Sequence, residues 1–123
     1  MRIPLASQLS APAPSHHLWR MLELTSKQRA HLRRLAHKLK PVVHIGAGGV
    51  TPALLQAVED AFNTRELIKV KALEAAPERI RTLADGIVAK LEDVHPVQTI
   101  GRTAVLYRPH PDDPDISLPP GRD

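Results

Sequence analysis

Between residues 24 and 108 the apolar positions recur at two spacings, one helical and one alternating. Thr25-Ser26-Lys27-Gln28 reads as a capping box, with Thr25 accepting from the Gln28 amide and Gln28 reaching back. A helix is expected from there to about residue 39, with Leu32, Leu35, Ala36 and Leu39 as its apolar stripe. Pro41 ends it. Residues 42–45 are an apolar run between breakers and predict a short strand. His44 inside it is expected to be hydrogen-bonded in the core or at its edge. After the loop Gly46-Ala47-Gly48-Gly49, Thr51-Pro52 predicts an N-cap and a first-turn proline. The helix that follows carries Leu54, Leu55, Val58, Ala61 and Phe62 on one side.

Residues 67–71 alternate, which puts Lys69 and Lys71 on one face of a strand and Ile68 and Val70 on the other. Pro77 is expected to open a third helix, with Ile80, Leu83, Ala84, Ile87, Val88 and Leu91 in its stripe. Residues 97–100 and 103–107 form a hairpin in which Gly101 supplies positive φ. The order α-β-α-β-α-β-β predicts an α+β fold, a two-layer sandwich of three helices on a four-stranded sheet. Leu32, Leu35, Leu39, Val58, Ile68, Ile87 and Leu106 are assigned to its core. No internal repeat is visible.

Proline marks the ends of this unit. Of 12 prolines in 123 residues, three lie in 1–14 and five in 109–120. The expected organisation is a weakly ordered extension over 1–21, one domain over 22–108 and a Pro/Asp-rich acidic tail over 109–123. The extension has no continuous apolar stretch of the secretory kind. It reads as disordered, as an upstream misstart with the true start at Met21, or, more weakly, as an organelle presequence. With no run of 18 apolar residues, no membrane span is expected. Cysteine is absent, which excludes disulfides, thiolate metal sites and thiol catalysis.

Charge is uneven. Residues 25–108 hold 14 Lys+Arg against 8 Asp+Glu, a net of +6 that the acidic tail conceals in the whole-chain value of +4. Six of those cations and no acid fall between Lys27 and Lys40. Helix surfaces usually mix signs to gain i,i+4 pairs; this one forgoes them, whereas the third helix mixes Arg79, Arg81, Asp85 and Lys90. Either a polyanion relieves the repulsion or the helix is a solvated basic face. The Gly46-Ala47-Gly48-Gly49 loop leads into a helix N-terminus, whose first amides are expected to be free donors that favour an anion. It lacks the sixth-position glycine of a dinucleotide loop and the G-K-[ST] of a Walker loop. Its G-x-x-G spacing suits a KH-type clamp on a single-stranded backbone, or simply a tight βα turn. No catalytic set, metal-ligand spacing or cofactor motif emerges. Three aromatic residues are too few for a base-stacking sheet of the RRM kind.

Five ordered blocks carry a resemblance: Leu24-Thr25-Ser26-Lys27-Gln28, Leu35-Ala36-His37-Lys38-Leu39-Lys40-Pro41-Val42-Val43, Ile45-Gly46-Ala47-Gly48-Gly49-Val50-Thr51, Glu66-Leu67-Ile68-Lys69-Val70-Lys71 and Ile100-Gly101-Arg102-Thr103-Ala104-Val105-Leu106-Tyr107-Arg108. In this order and spacing they resemble the CRM domain (chloroplast RNA splicing and ribosome maturation), most closely its stand-alone bacterial form, the YhbY family. The resemblance implies a mixed four-stranded sheet with three helices, similar to the C-terminal domain of translation initiation factor three. It implies a non-catalytic, cofactor-free RNA-binding module whose G-x-x-G loop acts as the KH loop does. Bacterial members associate with precursors of the large ribosomal subunit, and plant relatives assist group II intron splicing. A single-domain chain therefore points to a cytoplasmic, monomeric factor on large-subunit ribosomal RNA or its precursor particle. Many members carry a polar or basic residue inside the loop, where this chain has Ala47 and Gly48. Residues 116–119 resemble the end of some bacterial members.

The RNA-contacting set expected on this reading is Gly46, Ala47, Gly48 and Gly49 for close approach, and Lys27, Arg33, Arg34, Lys38 and Lys40 for phosphates. Lys69, Lys71, Arg102 and Arg108 rank second, because their exposed faces are not fixed by sequence. The alternative is a protein–protein adaptor that binds an acidic partner through the first helix.

Overall fold

A computed structural model describes residues 24–111, 114 and 116–119. The expected extension over 1–21 lies outside these residues. The elements run α1 (Ser26–Ala36), β1 (Pro41–Ile45), α2 (Pro52–Phe62), β2 (Leu67–Ala72), α3 (Ile80–Lys90), β3 (His95–Ile100) and β4 (Thr103–Tyr107). The capping box forms: the Gln28 amide donates to Thr25 Oγ1 at 3.1 Å, and the Thr25 amide to Gln28 Oε1 at 3.1 Å. α1 stops at Ala36, three residues short of its expected end, and Leu35 stays 42% exposed. α3 starts at Ile80, after an extended Arg79, three residues later than Pro77 suggested.

The sheet has the order β1-β2-β4-β3. β1 and β2 are parallel and joined through α2; β4 is antiparallel to both its neighbours. Gly101 turns the hairpin at φ +57°. The α+β class, the element order and the mixed sheet are as the sequence predicts.

The layering differs. Val43, Ile45, Ile68, Val70, Ala104 and Leu106 face α2 and α3. Leu67, Val97, Val105 and Tyr107 face the other way and pack against Leu32 and Ala36 of α1. The helices therefore cover both faces, in three layers rather than two. The reason is a split face: β2 places apolar Leu67 and cationic Lys69 and Lys71 on the same side. The apolar end needs cover, which α1 supplies. The cationic end does not. Arg29 anchors the helix there, its guanidinium donating to the carbonyls of Pro96 and Val97.

The chain after β4 returns to this layer. Ile116 and Leu118 pack beside the α1 cluster, and Gln28 Nε2 donates to the Pro119 carbonyl at 3.1 Å. Glu66, 3% exposed, holds the segment: its carboxylate accepts from the amides of His110 at 2.6 Å and Ile116 at 2.7 Å.

Tyr107 closes the same cluster, its ring 5.8 Å from that of His95. Burial, then Glu66 and Asp93, push its phenol from the ordinary 10.0 up to about 12. The folded state thus holds the phenol proton more tightly than the unfolded chain. That contribution is full below pH 10 and is lost as pH rises toward 12. Urea titrations should show a loss of about 2–3 kcal/mol across this window that Tyr107→Phe lacks. Equal alkaline losses in both proteins would contradict this.

Candidate nucleic-acid interface

The half of the sheet that α1 leaves open is built by register. On this side, His44 lies beside Lys71, Lys71 opposite Thr103, and Thr103 opposite Ile100. These four form a row across all four strands. The next row holds Lys69, Val105 and Gln98. His44, Lys71 and Ile100 are exposed, and Lys69 is half-buried. His44 is thus a surface residue, not the core or edge histidine expected. The alternation of β1 explains it: Val43 and Ile45 point to α2 and α3, so Val42 and His44 point away.

α1 borders this half. Ala30, Arg33, Arg34 and His37 form a shallow hollow with Gln98. The hollow joins the helix cations to the Lys69 row. Lys27, Arg33, Arg34, Lys38 and Lys40 are all exposed. Lys27 sits in the first turn and is not among the residues that line the hollow. Arg29 is spent on its carbonyl contacts. α1 and the four strands contain no Asp or Glu at all. The carboxylates lie on α2, on α3 and in the connections. Among the described residues opposite charge is thus segregated by layer, and the elements that build the open face carry no carboxylate of their own.

The glycine loop sits at one end of this face. The Ile45 carbonyl, just before it, accepts from the Leu73 amide at 2.8 Å, and the Arg102 carbonyl accepts from the Ala72 amide at 2.8 Å. The loop, the β2–α3 connection and the β3–β4 turn converge there. Arg102 is exposed, and its hollow also contains Arg79, Arg81, Glu74 and Glu78, so it lies among both signs.

The four loop residues differ in what they require. Gly49 is buried at φ +68°, and a Cβ there would stand 3.1 Å from Pro77 Cγ. Its amide donates to the Gly46 carbonyl at 3.0 Å. Gly49 is therefore demanded by the fold. A Cβ on Gly48 would meet Thr51 Cγ2 at 3.1 Å. A Cβ on Gly46 would meet nothing within 4 Å, and its φ is ordinary. Ala47 and Gly48 are exposed. Gly49→Ala is expected to cost about 1–3 kcal/mol in urea unfolding. Gly46→Ala should stay within about 0.5 kcal/mol of the parent, and equal losses would contradict this account of the loop.

The helix after the loop offers fewer donors than the sequence suggests. Thr51 Oγ1 takes the Leu54 amide at 3.0 Å, the Leu55 amide donates to the Thr51 carbonyl, and Pro52 has none.

Arg108 does not belong to this face. It pairs with Glu59 at 2.7 Å, donates to the Glu92 carbonyl at 3.0 and 2.8 Å, and lies 5.3 Å from the Phe62 ring centroid. It is an internal pin at the other end of β4, correcting its expected place among the ligand contacts. His37, His44, Gln98, Val42 and Ile100 are the face residues the sequence reading leaves out. Strand alternation marks His44 and helical spacing marks His37, but the other three need the pairing register. Among the described residues no group of three His, Asp or Glu side chains is placed to hold a metal ion. No helix among them is long and apolar enough to cross a membrane.

Comparison with known proteins matches residues 24–108 to the CRS1 / YhbY (CRM) domain. The chain is 42% identical over 99 residues to an "RNA-binding protein" of Haemophilus influenzae, covering 80% of this chain and 98% of the other. It is 40% identical over 96 residues to the "Probable RNA-binding protein YqeI" of Bacillus subtilis, covering 78% and 99%. In structure it is similar to SAV1595 of Staphylococcus aureus, solved in solution and described as a candidate RNA-binding protein. The TM-score is 0.66 at 35% identity, over 78% of this chain and 99% of that one.

Proposed function

The chain belongs to the CRS1/YhbY (CRM) domain family, and from that premise we propose that it binds RNA through its α1 side. The observation that carries this reading is the segregation of charge. α1 and the four strands carry no carboxylate; Arg33 and Arg34 on α1, Lys38 just past its end and Lys71 on β2 are exposed, with Lys69 half-buried beside them. Such a surface neutralises phosphates and releases their counterions. The loop at its end, with Gly46 unobstructed and Ala47 exposed, lets a backbone approach.

The finer reading is a monomeric cytoplasmic factor that acts by binding, not catalysis, on large-subunit ribosomal RNA or its precursor. Two points favour it. The relatives are themselves short chains, matched over 98% and 99% of their length. The face is shallow where α1 borders it, suited to a polymer more than to an enclosed small substrate.

The test uses a tagged chain and gradient sedimentation of cell extracts. The protein is expected with precursors of the large subunit and not with mature ribosomes. Ala47→Glu should keep the parent's melting temperature, weaken RNA binding about tenfold by repelling phosphate, and leave those fractions. Sedimentation only as free protein at low salt would contradict the ribosomal reading. Unchanged RNA affinity of Ala47→Glu would remove the loop from the site.

A further inference from the structure

The open half of the sheet carries more than charge. Ile100 is 62% exposed, the highest value among the exposed large apolar residues described, and Val42 is 39% exposed. Ile100 belongs to the α1 side through its pairing with Thr103, on β3 at one edge of the sheet, and Val42 stands on β1 at the other edge, just before the inward-facing Val43. Between them stand the His44 imidazole, the Thr103 hydroxyl and the Gln98 amide, with Lys69 and Lys71 at the centre. Exposed apolar area is unfavourable in water, and a surface that only tracks phosphates gains nothing from it. A partner that repays that cost must offer apolar faces, hydrogen-bonding edges and phosphates together.

Unpaired nucleotides offer all three. An A-form duplex does not: its bases are stacked inward, and proteins meet mainly phosphate and ribose. We infer that the open half of the sheet seats the unpaired bases of a single-stranded RNA segment, with Ile100 and Val42 as aliphatic contacts at its two edges. This rests on the RNA-binding reading above and names the class of RNA. The backbone runs along Arg33, Arg34 and Lys38 and past the Gly46 end of β1. The bases turn inward over Lys69, Lys71 and His44. The described aromatic residues are not available for stacking, since Phe62 and Tyr107 are buried at 2% exposure. Contact through isoleucine and valine is weaker and tolerates any base, so little sequence preference is expected from the sheet itself.

The test compares a single-stranded RNA with a duplex carrying the same number of phosphates, using the full chain and a Val42→Ser/Ile100→Ser variant. Melting temperatures are measured in parallel, and Val42→Thr/Ile100→Thr, which keeps the β-branched shape, replaces the serine variant if that one unfolds. The parent should bind the single strand at least about tenfold more tightly than the duplex. The variant should lose about three- to tenfold for the single strand. Its duplex affinity and its salt dependence should stay unchanged. Equal affinity of the parent for both probes overturns the proposal. So does a variant that loses affinity for both probes equally, or for neither. Binding of neither probe by the parent overturns it together with the RNA-binding reading, and is told apart by the absence of any salt-dependent signal.

Discussion

Replacing Arg33, Arg34, Lys69 and Lys71 together by alanine is expected to weaken RNA binding roughly a hundredfold, at about 0.7 kcal/mol per lost phosphate contact. The same change should flatten the slope of log K against log salt by up to about 3 units, since each single-strand contact contributes roughly 0.7. Arg33, Arg34 and Lys71 are exposed, Lys69 is half-buried, and none makes an ion pair among those described, so the fold should tolerate their loss. An Arg81→Ala/Lys90→Ala variant serves as control. It removes charge from α3, on the opposite layer, and should change neither affinity nor slope much. Equal effects of the two sets per charge removed would mean that net charge matters and the face does not. Arg29→Ala should behave differently again, lowering stability by freeing α1 from β3 while leaving most of the salt slope in place.

The second large effect concerns stability. Glu66→Ala is expected to cost about 3–5 kcal/mol. Its buried carboxylate is the acceptor for two backbone amides 50 and 44 residues away in sequence, those of Ile116 and His110. Without it those donors lose their partner, and Ile116 and Leu118 lose the tether that holds them against the α1 layer. Glu66→Gln keeps one acceptor oxygen and should cost about half as much. A chain ending at His110 should lose roughly 2 kcal/mol through the uncovered apolar surface. Urea midpoints measure all three. An unchanged midpoint for Glu66→Ala would show that the returning segment adds nothing to the fold.

Much of this architecture is legible in the sequence because it rests on local rules. The Thr25/Gln28 box, the Thr51-Pro52 start and the Gly101 turn each depend on a few neighbouring residues, and each forms as expected. What local rules cannot supply is which face a helix covers. Lys69 and Lys71 read as a solvent face of β2, which suggests a sheet covered on one side only. Leu67 shares that face, and its cross-strand partner Tyr107 makes that end apolar. Only the pairing of β2 with β4 shows that half the face needs a helix.

The candidate site was legible to the same depth. The cations of α1 and the exposed glycine loop are visible as a charge run and a motif. That Lys71, His44 and Ile100 form one row depends on register across three strand pairs, and no single strand contains it. Arg108 shows the converse. Its sequence context is that of an exposed strand end, yet Glu59 and the Glu92 carbonyl, both distant in sequence, bind it internally. Among the four loop residues, the motif treats Gly46 and Gly49 alike. The fold separates them: one is required by φ and Pro77, and the other is unconstrained within the chain.

RNA is expected on the α1 side of the sheet. The most direct measurement is the change in backbone amide NMR shifts as single-stranded RNA is added to the isotope-labelled chain at low salt. The largest changes are predicted at Arg33, Arg34, His37, Gly46, Ala47, Gly48, Lys69, Lys71 and Ile100, with little change along α2 and α3 at Gln56, Asp60 and Lys90. Shifts concentrated on α2 and α3, with the α1 side unmoved, would contradict the account.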